Sequence, residues 1–224
     1  MSRVVTDKLD DLILELSLAA SIPVGIHGTD YTLATSASNS FALHAKELPP
    51  QRLKELSNGI EPLLALLHND IDHPVAGKAA LSLRTLMSSR TCILELIKAD
   101  GLQVISKIFQ RLFSGKKVDL VTPSTHRIVV EHCAAVFREV GRFYPWKIVR
   151  VGILRHVVVI LNNGDLLLKT IGAGILAAVS TDLEICKLMF TNGCVMPLLN
   201  VALEDNTNEA CVLAALGSIV QLSR

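Results

Sequence analysis

Gly59-Ile60-Glu61-Pro62-Leu63-Leu64-Ala65-Leu66-Leu67-His68-Asn69-Asp70 puts a glycine at the mouth of an apolar helix, a proline in its first turn and an Asn-Asp stop at its end. The pattern returns at Gly101-Leu102-Gln103-Val104-Ile105-Ser106-Lys107-Ile108-Phe109, at Gly152-Ile153-Leu154-Arg155-His156-Val157-Val158-Val159-Ile160-Leu161 and at Gly193-Cys194-Val195-Met196-Pro197-Leu198-Leu199-Asn200-Val201. The glycines lie 42, 51 and 41 residues apart. A period near ~40–47 residues marks a chain of stacked helical units, each unable to bury its apolar face alone.

The first unit is the clearest. Asn58-Gly59 reads as the stop of a small helix over 51–57, with the glycine expected in the left-handed conformation that closes helices. After the leucine run, His73-Pro74 marks the start of a longer helix over 74–87, since proline suits a first helical turn. Its apolar positions are Val75, Ala79, Ala80, Leu83, Leu86 and Met87. Ser88-Ser89 ends it, a short helix over 91–98 follows, and Asp100-Gly101 opens the next unit. The longer 51-residue interval holds an insertion over 113–124, after which a long helix runs over 125–141. The last helix spans 208–223 and shows Leu213, Leu216, Ile219, Val220 and Leu222 with few charges. At the other end, residues 3–20 form an amphipathic helix, while Pro23, Gly25, Gly28 and the Thr, Ser and Asn that follow predict a loop over 21–40. The expected domains are thus residues 1–48, an N-terminal helix and loop acting as a cap, and residues 49–224, the repeat domain.

Pro74-Val75-Ala76-Gly77-Lys78-Ala79-Ala80-Leu81-Ser82-Leu83-Arg84-Thr85-Leu86, followed by Ile93-Leu94-Glu95-Leu96-Ile97-Lys98-Ala99-Asp100-Gly101, resembles an armadillo repeat. So do Leu168-Lys169-Thr170-Ile171-Gly172-Ala173-Gly174-Ile175-Leu176-Ala177-Ala178-Val179 and Glu209-Ala210-Cys211-Val212-Leu213-Ala214-Ala215-Leu216. The resemblance covers residues 59–224 and implies an all-α, right-handed superhelical solenoid of about four repeats. Small-residue pairs at Ala79-Ala80, Ala134-Ala135, Ala177-Ala178 and Ala214-Ala215 would let the long helices pack closely. Gly172 and Gly174 each cost ~1 kcal/mol of helix stability against alanine, which close helix contact would offset.

Composition narrows the function. Half of the 224 residues are apolar, and 22 Lys+Arg against 21 Asp+Glu leave a net charge of +1, so no overall field draws the chain to nucleic acid or an anionic membrane. Cys92, Cys133, Cys186, Cys194 and Cys211 are odd in number and form no CxxC, which predicts reduced thiols and a cytoplasmic setting, nuclear and ciliary placements being left open. No secretory leader, membrane span or lipidation box is legible.

Catalytic and metal motifs are absent from the sequence: there is no HExxH, GxSxG, P-loop or GxGxxG. His126 and His132, six apart, fall about 120° apart around a helix and would not share a metal. Ser124 and Thr125 read as helix caps rather than nucleophiles, and Cys92 and Cys186, at matching places in their repeats, as core packing. No cofactor is expected. The resemblance implies instead a concave groove lined by the long third helices. In peptide-binding members a tryptophan and an asparagine four residues later form ladders there. In this sequence the tryptophan positions hold Leu81, Ala135, Gly174 and Ala214, and the asparagine positions Thr85, Glu139, Ala178 and Ser218, so import-style recognition of basic peptides does not carry over. What remains on the groove is Lys78, Arg84, Thr85, Arg138, Glu139 and Arg142. The expectation is a non-enzymatic scaffold holding a protein partner along that groove or at the C-terminal end, with self-association through the last helix. The alternative is a structural component of a larger assembly, such as a ciliary or cytoskeletal one, used through its ends.

Overall fold

The computed structural model describes residues 2–21, 32–69, 71–114, 120–121, 124–204 and 209–222. Among these every regular element is a helix. In chain order come α1 (Ser2–Ala20), α2 (Thr32–Glu47), a 3-10 helix (Leu53–Gly59), α3 (Ile60–Asn69), α4 (Pro74–Leu86), α5 (Arg90–Lys98), α6 (Gly101–Phe113), α7 (Thr125–Gly141), α8 (Pro145–Arg150), α9 (Ile153–Asn163), α10 (Leu166–Val179), α11 (Leu183–Thr191), α12 (Val195–Leu203) and α13 (Glu209–Leu222). After α1 and α2 the order short, medium, long repeats three times, and the chain closes with two nine-residue helices, α11 and α12, and the 14-residue α13. The chain divides into two compact units, Met1–Val104 and Ile105–Arg224.

In the first unit α2 packs on α1 and α4, and α3 packs on α4. The core is mostly aliphatic, with Leu16, Leu56, Ile60, Leu63, Leu67, Leu83 and Leu86 fully buried around the ring of Phe41. The loop expected over 21–40 is helical from Thr32 onward, and residues 22–31 lie outside the described residues. The apolar stripe of α2 is built from Ala34, Ala37, Phe41, Ala42 and Ala45, with Ser38 buried among them. Alanines at helical spacing bury well yet barely stand out against the Thr, Ser and Asn on the other face.

Gly59 also departs from expectation. Its φ is not positive. The position needs glycine for space, because a Cβ would lie 2.6 Å from the Phe41 ring. The left-handed residue that turns each short helix into the next is Asp100 (φ 51°), then Gly152 (φ 81°), then Gly193 (φ 73°). At Gly152 and Gly193 nothing crowds the missing Cβ, so backbone conformation alone selects glycine there.

In the second unit the long helices α7, α10 and α13 form a layer with α10 between its neighbours, and α9 and α12 form the adjoining layer. Phe109, Phe137 and His156 meet edge-on, with ring centroids 5.7 Å (Phe109–Phe137) and 5.9 Å (Phe109–His156) apart. The glycines inside α10 are explained by contact: a Cβ on Gly172 would sit 3.2 Å from Leu161, and one on Gly174 2.9 Å from the Arg138 stem. Ser124 caps α7, its hydroxyl accepting from the Arg127 N–H at 3.2 Å. The insertion over 113–124 falls largely outside the described residues.

Candidate functional site

The six residues expected on the groove divide between the units. Lys78, Arg84 and Thr85 lie on α4. Lys78 is exposed, Arg84 and Thr85 half-buried, and the Thr85 hydroxyl donates to the Leu81 carbonyl at 3.0 Å. Arg138, Glu139 and Arg142 lie together at the end of α7. Arg138 donates to Glu139 Oε1 at 2.9 and 3.1 Å, and Arg142 Nη1 to Oε2 at 2.8 Å. One carboxylate is shared by two guanidiniums, so the triad keeps a net positive charge while each oxygen is engaged. The ladder positions are unlike an aromatic-and-amide track: Ala135 and Ser218 are buried, and Leu81, Gly174, Ala178 and Ala214 are half-buried.

A second cluster on α7 escaped the sequence reading. Arg127 pairs with Glu131 one turn on, at 2.7 Å, and with Asp165 at the head of α10, to which its Nε donates at 3.1 Å. Asp165 also caps α10 by accepting from the Leu168 N–H at 2.9 Å. Partial burial works against the charge on Arg127, but the hydrogen bonds to Asp165 and Glu131 outweigh it and hold the guanidinium above its ordinary range. Two signals were present in the sequence: an Arg-to-Glu i, i+4 pair, and an Asn-Gly-Asp before a leucine run.

All five cysteines are buried, and burial pushes up Cys92, Cys133 and Cys186 and takes Cys194 to about 12, the wrong direction for a thiolate nucleophile. Among the described residues no His, Cys, Asp and Glu cluster could hold a metal ion. Two shallow clefts are polar. One of about 510 Å³ between α1 and α2 is lined by Asp11, Glu15, His44 and Glu47, and one of about 340 Å³ by Glu61, Glu95 and Lys98. No single described helix is long and apolar enough to cross a membrane.

Helix α13 carries an exposed apolar stripe. Leu213, Leu216 and Val220 are 61, 45 and 51% exposed. They follow i, i+3, i+7 spacing and so share one face. Leu203, at the end of α12, is more exposed still. The opposite side of α13 carries the fully buried Cys211, Ala215 and Ser218, and α13 packs on α10.

No protein-family model matches this chain, and no curated protein sequence matches it. Solved structures do. A computationally designed armadillo repeat protein for modular peptide recognition aligns with TM-score 0.75 over 95% of this chain and 81% of its own, at 16% identity. A designed armadillo repeat protein in complex with the peptide (KR)4 aligns with TM-score 0.74 over 96% and 81%, again at 16% identity. An engineered protein reaches TM-score 0.75 and 20% identity over 96% of this chain and 79% of its own. The chain therefore has the all-α fold of the armadillo repeat solenoids.

Proposed function

We propose that the chain is a non-enzymatic protein-interaction scaffold that engages through the apolar face of α13, and that a second copy of the chain covers that face. The observation that carries this is the exposed Leu213–Leu216–Val220 stripe. The choice of occupant rests on charge. From Ala210 to Leu222 the helix holds no charged residue. A two-fold contact sets a surface against its own image, which a charged patch resists and a charge-free apolar one does not. Burying each leucine fully would contribute roughly 1.5–3 kcal/mol, against the several kcal/mol that association costs in lost freedom. The odd set of buried thiols supports a cytoplasmic setting for such a scaffold.

Sedimentation velocity over a concentration series tests the reading. The expected result is a monomer–dimer equilibrium that Leu213→Glu with Leu216→Glu abolishes while the melting temperature holds, since both side chains are exposed. A strict monomer, or a double variant that still associates, would sink it. Open-ended growth would instead seat α13 on a different surface of the next copy and overturn the two-fold arrangement.

The long-helix faces are proposed as further contact surfaces for protein segments, each by itself: Lys78, Arg84 and Thr85 on α4 in the first unit, and Arg138, Glu139 and Arg142 on α7 in the second. The shared Glu139 favours the latter, because the triad retains one positive charge. The (KR)4 peptide held by the designed neighbour is not assigned to this chain, whose ladder positions hold Leu81, Ala135, Gly174 and Ala214.

A further inference from the structure

The turn after α7 and the short helix α8 expose Arg142, Phe143, Trp146, Lys147 and Arg150. Within α8, Trp146, Lys147 and Arg150 lie within one turn of each other, at i, i+1 and i+4, and Arg142 and Phe143 stand in the turn that leads into it. Three are cations, two are aromatic, and none is acidic. Phe143 is 50% and Trp146 36% exposed, in a chain with only six Phe, two Tyr and this single Trp. Lys147 and Arg150 form no ion pair with a described residue.

The local fold fixes this surface. Ile148 is fully buried and anchors α8 from below. The indole N–H of Trp146 donates to Asp182 Oδ2 at 3.1 Å. Asp182 itself caps α11, accepting from the Glu184 N–H at 2.8 Å and the Ile185 N–H at 3.4 Å. The edge of the ring is therefore held while part of its surface stays open. Leu183, next to Asp182, is exposed and extends the apolar part. The other short helices differ. On α5, Lys98 is tied to Glu95 at 2.7 Å, and on α11, Lys187 to Glu184 at 2.6 Å. Only α8 of the three holds cations without an acid on its own helix.

We infer that this ridge docks an acidic peptide segment carrying apolar or aromatic anchors. Carboxylates pair with Lys147 and Arg150, the arginine accepting them in forked geometry, Arg142 adds positive charge while it keeps Glu139, and the anchors pack on Phe143, Trp146 and Leu183. Held aromatic rings and arginines are the residue types that concentrate binding energy at interfaces. Charge complementarity selects the occupant. A basic segment is repelled, and an apolar one desolvates Lys147 and Arg150 without giving them partners. A nucleic acid is disfavoured because Asp182 and Glu184 flank the ridge and the net charge of +1 supplies no field. Separate carboxylates bypass those acids where a continuous phosphate backbone does not.

Trp146 is the sole tryptophan, so its emission reports on the ridge directly. The test pans a phage-displayed library of short random peptides on the full chain and titrates the enriched peptides, made synthetically, against Trp146 fluorescence. The expected peptides are rich in Asp or Glu with interspersed Leu, Phe or Trp. Their binding alters Trp146 emission, weakens with salt, and drops about tenfold or more in Lys147→Glu with Arg150→Glu, the equivalent of about 1.4 kcal/mol. Gln-for-Glu peptides should lose as much. Self-association through α13 should persist in that double variant, so failure of the ridge and failure of the α13 reading are separately visible. Enrichment without acidic residues, binding indifferent to the charge reversal, or unchanged Trp146 emission overturns the inference. So does an emission change produced by oligo-dT or phosphatidylserine vesicles in place of the acidic peptides.

Discussion

The helix α10 is held differently on its two sides. Toward α7 the contact is directional. Arg127 reaches from α7 to Asp165, which also caps α10, and the Arg138 stem crosses the gap left by Gly174. Toward α13 the contact is close packing. Cys211, Ala215 and Ser218 lie fully buried on one face at i, i+4, i+7 spacing, with the Lys169–Glu204 pair on α10 and at the end of α12. A salt bridge that is only partly buried adds modest stability, but it admits few alternative registers. Small-residue packing gains from many weak contacts and penalises added volume rather than lost charge. The α7 side of α10 thus depends on named polar atoms, while the α13 side sets the smallness of three side chains beside the single Lys169–Glu204 pair.

Enlarging the small side should have the largest effect. Ala215→Leu adds three carbons at a fully buried position and should cost about 1–3 kcal/mol or more. Hydrogen exchange should show α13 losing protection while α7 and α10 keep theirs. Protection lost equally in all three would mean that the layer is one cooperative block and that the two joints are not distinct.

A smaller effect is expected on the directional side, where cap and ion pair can be separated. Asp165→Ala removes both and should lower stability by about 1–2 kcal/mol in urea unfolding. Asp165→Asn keeps the capping oxygen and loses the charge, and so should recover most of the loss. If Asn is as damaging as Ala, the bond to Arg127 rather than the cap sets the position of α10.

The contrast also explains what could be read in advance. The helix over 125–141 was legible to the residue, because Pro123-Ser124 opens it and a long apolar period fills it. Of the small face of α13, Ala215 was legible as one half of the Ala214-Ala215 pair, since smallness is a property of single residues, while Cys211 and Ser218 were not. The helical character of Thr32–Ser40 was not, because its stripe is alanine and serine and carries little hydropathy contrast. The Arg127–Asp165 contact joins residues 38 apart in sequence, and no local period encodes such a pairing. For the expected site, the residue types at the end of α7 were readable, but the engagement of both Glu139 oxygens depends on side-chain geometry.

The last test asks whether a polar group can serve the non-directional kind of packing. His156 on α9 lies against Phe109, and its ring centroid is 5.7 Å from that of Phe113. Burial lowers its pKa below the ordinary 6.5, and the neighbouring Arg155 charge lowers it further. The folded chain therefore takes up a proton on this ring less readily than the unfolded chain. Its contribution to stability is present in full above pH ~6.5 and declines as pH falls toward the depressed folded value, because the unfolded state binds the additional proton. His156→Phe keeps an aromatic ring of similar size and removes the titration. Urea unfolding across a pH series should give a wild-type stability that falls below pH ~6.5 more steeply than that of the variant, with the two curves closest in slope above it. If the variant keeps the wild-type slope, other groups carry the acid sensitivity, and His156 acts at this contact only as a shape, as Ala215 does between α10 and α13.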